Sequence, residues 1–413
     1  MVGSQLMSLS ERIVRALARA EATRIALSKD LGVSRTTLNR ALAGLIEDGF
    51  VKASSRSDGR QGRPPESLRL DRSVAYTAGI ALSKQVGRGV IVNRVGEVLV
   101  SVRLEVAARS WCDVLRELCG VLLAEARRVG VDPRVRSVGV GVPVPVPANQ
   151  SVFQCARRIV GEVFPEVGAE RCCADGEELG RVSECSGVKP MGTSELRVGV
   201  TGRSTAVTID NIVTMAALGE ARWGAAMAVP SLLYIQLSAG IGSCVVTPQL
   251  VTGGVVGAAS ELGHTVVPGL PGTCYCGKVG CLETVASVSA ILKASGADSV
   301  EELAGLLVEE STDGSVHRIV ARAARAVGLA AANAVLMTNP EIVVLGGPLP
   351  REVDFFVSEV HRSLNEYLLP ALRWDVNVVQ SNMDEWGAAR GAALAASQLL
   401  ALGDAERILG WRA

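Results

Sequence analysis

Four residues carry the most specific chemistry in the chain: His264, Cys274, Cys276 and Cys281. They stand close together in a sequence of 413 residues with only 3 His and 10 Cys. The cysteines follow a C-x-C-x4-C spacing, and the histidine precedes the first of them by ten positions. Zinc takes imidazole nitrogen and thiolate sulfur in tetrahedral geometry, and a closed set of four protein ligands is structural rather than hydrolytic. Gly272, Gly277 and Gly280 let the backbone turn tightly enough for three thiolates to converge. Reduced cysteines in a loop, or a local disulfide, are the plainer readings. Neither accounts for the regular placing of His and Gly around the Cys.

A second group of residues could read DNA. Arg35, Thr36, Thr37, Asn39 and Arg40 fall largely outside the apolar stripe of Leu38, Leu42, Leu45 and Ile46. Ser34 is placed to N-cap this helix, which runs to about Asp48. A shorter helix from about Thr23 to Leu31 precedes it and ends at Gly32, a C-terminal cap. Another, over Ser10 to Ala20, shows the spacing of one buried face at Ile13, Val14, Leu17 and Ala18. Helix, glycine turn, helix is the helix-turn-helix pattern, whose second helix enters the major groove. A strand from Gly49 and its return at Leu68 to Leu70 enclose a Gly, Ser and Arg-rich tip with Arg60 and Arg63. That is a β-wing, and arginine at its tip suits a narrow minor groove. A three-helix protein-interaction module with a solvated basic face is the alternative.

Composition sets the frame for both groups. The chain is long enough for two or three domains, and at 48% hydrophobic residues it can bury sizeable cores, built from Ala, Val and Leu because aromatics are only 3%. Net charge is zero, but residues 1–71 hold twelve Lys and Arg against eight Asp and Glu, so a basic head precedes an acidic body. The N-terminus is a charged amphipathic segment without the apolar core of a signal peptide, so the ten cysteines are expected to be thiols in a cytoplasmic protein. No apolar run reaches membrane length; Ala326 to Met337 comes nearest and reads as a buried helix.

From about Tyr76 strands and helices alternate. Ala78 to Leu82, Val90 to Val92 and Val98 to Val106 predict an antiparallel meander, and Trp111 to Val129 a helix. Ser137 to Pro143, Leu232 to Gln236, Cys244 to Thr247 and Glu341 to Leu345 predict further strands. Gly387 opens the last helix.

The zinc-type stretch resembles the signature of the ROK family of repressors, uncharacterised reading frames and sugar kinases. The residues that carry the likeness are Glu261, Gly263, His264, Cys274, Cys276, Gly277, Gly280, Cys281, Leu282 and Glu283. The likeness extends, with gaps, from about residue 12 to about residue 398 and is weakest over 148–205. Gly62-Arg63-Pro64 also resembles the wing of ROK repressors. The fold implied is α/β: a winged helix-turn-helix over 1–71, then a two-lobed actin-like ATPase body like that of ROK sugar kinases. Its lobes are 72–209 and 210–413, the last helix, about 387–400, returning to the first lobe. Against the family's pattern, Ala81 stands where the first phosphate turn carries Asp, and Ser83-Lys84 replace its glycine pair. The second turn, Ser238 to Cys244, keeps Gly240 and Gly242. Counting back from Ala216-Ala217-Leu218-Gly219-Glu220 puts Ile212 at the position of the catalytic Asp, and isoleucine cannot take a proton.

The resemblance implies that Asn211, Glu261, His264 and Glu283 contact sugar hydroxyls, with zinc fixing the imidazole. For Asn211 the alternative is a plain capping residue, and for Glu261 and Glu283 salt bridges at helix ends. The expectation is therefore a DNA-binding regulator, working as a repressor and not an enzyme. It holds structural Zn2+, operator DNA and a sugar or sugar-phosphate effector, acts away from membranes, and assembles as a homodimer or homotetramer. A sugar kinase with a DNA-binding appendage, and a regulator that has lost its ligand, are the rivals. Cys172, Cys173 and Cys185, in the stretch without a counterpart, read as free thiols.

Overall fold

The computed structural model describes residues 9, 12–13, 16–17, 20–47, 51–55, 66–70, 76–93, 96–106, 109–131, 135–143, 150–164, 206–227, 229–247, 251, 259–309, 314–373 and 375–397. Arg60, Arg63, Cys172, Cys173 and Cys185 lie outside them.

The head begins with helical residues around Ile13 and Leu17, then β1 (Ala22–Thr23), α1 (Arg24–Leu31), α2 (Arg35–Glu47), β2 (Val51–Ser55) and β3 (Glu66–Leu70). Thr23 caps α1, its hydroxyl accepting the Ala26 N–H at 3.2 Å, and Gly32 ends it in the left-handed region at φ 63°. Ser34 caps α2, accepting the Thr37 N–H at 3.1 Å. Such caps satisfy backbone donors that the helix itself leaves unpaired. Ile13, Leu17, Leu27, Leu38, Leu42, Leu45, Val51 and Leu68 form one core of the head's own. The sheet order is β1-β3-β2, so the wing hairpin is joined by the two residues that precede α1. The sequence shows no signal for that short third strand.

The first lobe is a five-stranded sheet in the order β6-β5-β4-β7-β8, from β4 (Tyr76–Leu82), β5 (Val86–Val92), β6 (Val98–Glu105), β7 (Val135–Val142) and β8 (Ala206–Asn211). The expected meander is present: β4, β5 and β6 pair antiparallel, and β7 and β8 join β4 in parallel. Helices α3 (Trp111–Arg128) and α4 (Gln150–Val163) cover the sheet through Leu115, Leu118, Leu122, Ile159 and Val160. One expectation is corrected here. Cys112 on α3 and Cys155 on α4 are joined by a disulfide, so the cysteines are not all thiols. The two helices pack side by side and bring the half-buried sulfurs together, a proximity that positions 43 residues apart do not reveal.

Helix α5 (Ile212–Trp223) leads into the second lobe, a four-stranded sheet ordered β10-β9-β11-β12. Its strands are β9 (Leu232–Leu237), β10 (Ile241–Val246), β11 (Ile342–Gly346) and β12 (Asn377–Gln380). Around it lie α6 (Glu283–Ala286), α7 (Val288–Ser295), α8 (Val300–Glu309), α9 (Ser315–Thr338), α10 (Pro348–Glu352) and α11 (Asp354–Tyr367). Among the described residues α9 is the one helix long and apolar enough to cross a membrane, yet most of it is buried. Val320, Ala324, Val327 and Ala331 share a core with Phe356, Val360 and Leu364 of α11. At Gly328 the two helices meet so closely that a Cβ would stand 2.5 Å from that of Ser363.

Residues 387–397, α12, are helical and lie on the first lobe. Two glycines make room for them. A Cβ on Gly79 would stand 1.9 Å from the Ala389 carbonyl oxygen, and one on Gly139 the same distance from that of Ala392. Backbone thus packs on backbone where the last helix crosses β4 and β7.

Candidate nucleic-acid interface and metal centre

On the head, α2 buries Leu38 and Leu42 completely and leaves Arg35, Thr36, Thr37, Asn39 and Arg40 exposed. The five residues therefore share the outer side of one helix. Thr37 is partly engaged, its hydroxyl lying 2.8 Å from that of Ser34 within the cap. Asn39 accepts a hydrogen bond from Nη1 of Arg24 at 3.0 Å, and Nε of the same arginine donates to Glu66 at 2.7 Å. A groove lined by Arg24, Ile25, Arg35, Leu38 and Asn39 runs between the two helices. Sequence reasoning missed Arg24, because a residue at the first position of a short helix carries no signal of its distant partners.

The candidate metal centre is brought together by the 3-10 turn Leu262–His264, the loop after it and the residues leading into α6. The Cys274, Cys276 and Cys281 sulfurs and a ring nitrogen of His264 all lie within 4.8 Å of one another. The Cys276 and Cys281 sulfurs are 3.6 Å apart, and Cys274 Sγ is 3.5 Å from His264 Nδ1. Around a tetrahedral zinc with sulfur at about 2.3 Å, ligand atoms would be about 3.8 Å apart. The donor set and its spacing therefore fit a four-coordinate metal ion. Electrostatics agree. Burial, followed by the neighbouring Cys276 and Cys274, pushes the Cys281 thiol up to about 11, whereas the backbone N–H of Lys278 draws Cys276 down. Gly277 and Gly280 hold the loop at φ 90° and 80°, and Lys278 Nζ donates to the His264 carbonyl at 2.6 Å.

Beside the metal ligands stand the residues of the expected sugar site. Burial raises the Glu261 carboxyl, an effect opposed by His264 and reinforced by the nearby Glu283. Glu283 accepts the Ile241 N–H at 3.1 Å. Asn211 caps α5, accepting the Val213 N–H at 2.8 Å, so the capping reading of this residue holds for its oxygen. Tyr275, the residue inside the C-x-C, was not foreseen. Its hydroxyl lies 3.0 Å from His264 Nε2, and Lys84 from the first lobe places its ammonium 5.9 Å from the centre of its ring. Tyr275 thus occupies the ring nitrogen that faces away from the metal ligands.

Both stretches set against a kinase's phosphate turns already hold some of their backbone N–H groups within the chain. In the first, the Ser83 hydroxyl accepts the N–H groups of Val86 at 3.0 Å and Gln85 at 3.3 Å. In the second, Ser238 N–H donates to the Gly240 carbonyl at 3.0 Å, while Ile241 N–H is held by Glu283. The two positions that the resemblance sets against a kinase's carboxylates share one place. Ile212 packs against the apolar cluster of Ala81, Val90, Val92, Ala389 and Ala393. Asp210, two residues earlier, is raised by burial, with its carboxylate accepting the Asn211 N–H at 2.6 Å and bonded to Thr214. The nearby Glu220 is an anchor, buried and accepting from Ser381 and from Ala225 N–H.

Residues 202–399 match the sequence pattern of the ROK family. The chain is 27% identical over 401 residues to the "Putative xylose repressor" of Caldicellulosiruptor sp. (strain Rt8B.4), covering 92% of this chain and 93% of that one. It is 34% identical over 182 residues to the glucokinase of Halalkalibacterium halodurans, covering 40% of this chain and 55% of the other. Among solved structures, a ROK family transcriptional regulator described as a homolog of the E. coli MLC protein matches with a TM-score of 0.70 at 20% identity, over 94% of this chain and 95% of that one. That likeness gives the fold: a mixed α/β body of the actin-like ATPase type, with an N-terminal region that fits a winged helix-turn-helix.

Proposed function

From a chain that carries a ROK-family domain, we infer a DNA-binding transcriptional repressor whose body senses a sugar or sugar phosphate and does not phosphorylate it. The observation that carries this reading is the exposed row of Arg35, Thr36, Asn39 and Arg40 on α2, on a helix that buries Leu38 and Leu42 behind it. The second helix of a helix-turn-helix presents such a row to base edges, N-terminal residues first. Near-full-length likeness to a relative named as a repressor supports the same assignment. The units proposed are a head over 1–71 and body lobes over 72–209 and 210–413. Arg60 and Arg63 would follow the wing into the minor groove.

In the body, His264, Cys274, Cys276 and Cys281 would hold Zn2+. When bound, the ion supplies charge that keeps three thiolates together and fixes the imidazole ring. The chain's own residues then do the recognition. Glu261 and Glu283 offer acceptors and His264 Nε2 a donor, the kind of set that hydroxyl-rich ligands need. Asn211 would offer its amide nitrogen, its oxygen being held in the cap.

The rival kinase reading has in its favour the likeness to glucokinases, at 34% and 30% identity over part of the chain. Ile212 beside Ala81, and the N–H groups of Val86 and Ile241 already held by Ser83 and Glu283, oppose it. Selection of duplexes from a random DNA library by the full chain tests the proposal. It should recover an inverted repeat with half-sites about one DNA turn, roughly 10–10.5 bp, apart, as a dimer requires. Recovery of no preferred sequence would overturn it.

A further inference from the structure

We propose that Arg24 is a positioning residue for base reading: it holds the Asn39 amide so that its nitrogen, and not its oxygen, faces the major groove. This rests on the reading of the head as DNA-binding. Arg24 opens α1, Asn39 lies on the outer side of α2, and Glu66 is the first residue of the returning wing strand β3. One guanidinium joins all three, with Nη1 3.0 Å from Asn39 Oδ1 and Nε 2.7 Å from Glu66 Oε2.

The direction of the amide follows from donor and acceptor chemistry. A guanidinium has five N–H donors and no acceptor, so only the oxygen of a primary amide can face it. An unrestrained asparagine rotates freely and can present either edge. Asparagine's usual bidentate pairing with adenine needs oxygen and nitrogen directed together at the base. With the oxygen turned to Arg24, Asn39 presents two N–H donors. It then suits an acceptor edge, N7 or O6 of guanine, N7 of adenine or O4 of thymine, and has nothing to offer the amino group of cytosine. Glu66 completes the device. Its carboxylate locks the far side of the guanidinium, and the pairing offsets a negative charge that would repel the DNA backbone.

A bland alternative is that Arg24 only touches phosphate. The two roles separate in full-length variants Arg24→Ala, Arg24→Lys, Asn39→Ala and the Arg24→Ala/Asn39→Ala pair. Each is measured for affinity to the duplex that wild type selects, then used for a fresh selection. If Arg24 acts through Asn39, Arg24→Ala loses base preference at the same single position as Asn39→Ala. Affinity for the selected duplex falls by about fivefold to a hundredfold, the range for one mismatched base pair. The double variant is no weaker than the weaker single one, and binding to random duplex is little changed. Arg24→Lys keeps the charge but cannot bridge both partners in one plane, so it also loses that preference. Equal weakening on all duplexes with the preference intact, or additive effects in the double variant, would overturn the proposal. Wild type selecting no sequence would instead remove the DNA-binding reading, and this inference with it, before any variant is made.

Discussion

At the scale of single residues, the metal cluster makes the firmest claim. Purified chain should carry one zinc per chain, and Cys274→Ser should abolish it and lower the melting midpoint, because binding of a structural metal is folding free energy. Elemental analysis with a thermal melt checks both, and full zinc content in the variant would refute the ligand set. Tyr275 gives a finer test. Its phenol lies on His264 Nε2, so on the proposed reading a sugar hydroxyl would have to displace it. Tyr275→Phe keeps the ring beside Lys84 but frees the nitrogen. Removing one competing hydrogen bond should tighten sugar binding by roughly 2- to 12-fold, read by calorimetry against D-xylose and D-glucose, with zinc content unchanged. Weaker binding would show that the phenol helps hold the ligand. The convergence of His264, Cys274, Cys276 and Cys281 was legible in the sequence because the four residues are close along the chain. Tyr275, Lys84 and Arg24 were not, because their partners are set by how loops and lobes meet.

At the scale of elements, an ion pair and a close backbone approach each join neighbouring elements of the body. Glu359 on α11 pairs with Arg325 on α9 and with Arg362, and these guanidiniums hold its carboxyl down to about 2 from an ordinary 4.5. A depressed carboxyl stabilises the fold above its unfolded value and loses that contribution as pH falls through the folded one. Glu359→Gln should therefore lower the melting midpoint at pH 7. The gap should close between about pH 4.5 and pH 2, and a constant gap across that range would argue for lost packing instead. Glycines give a contrast in sign. Gly139→Ala drives a methyl into the Ala392 carbonyl and should cost about 1–3 kcal/mol or more. Gly44→Ala, in α2 with nothing within 4 Å of the added Cβ, should gain roughly 0.5–1 kcal/mol. Denaturant melts of the two variants check the pair. Most strands and the helices of the head were readable from periodicity and caps, since Leu38, Leu42 and Leu45, or Ser34 and Gly32, are local signals, whereas α4 to α8, α10, α11, β8 and β12 were not among the expected elements. The β1 strand at Ala22–Thr23 and the Cys112–Cys155 bridge were not, for each exists only through a partner at least 43 positions away.

At the scale of the molecule, a winged head is joined to a body of the actin-like ATPase type, in which Ile212 and Ala81, the positions that the family resemblance sets against a kinase's carboxylates, share one apolar cluster. On the proposed reading the general base is missing, which alone typically removes a factor of about 10²–10⁴ in rate. A coupled assay with ATP and D-glucose or D-xylose should give no turnover above a no-protein control. The claim at the centre, that the head brings this body to specific DNA, is tested most directly by footprinting the full chain, at stated salt, on the duplex it selects. The account predicts two protected half-sites on one face of the duplex, lost on deleting residues 1–71 and weakened by Arg35→Ala at one base position. Protection that survives that deletion, or no protected region at all, would contradict it.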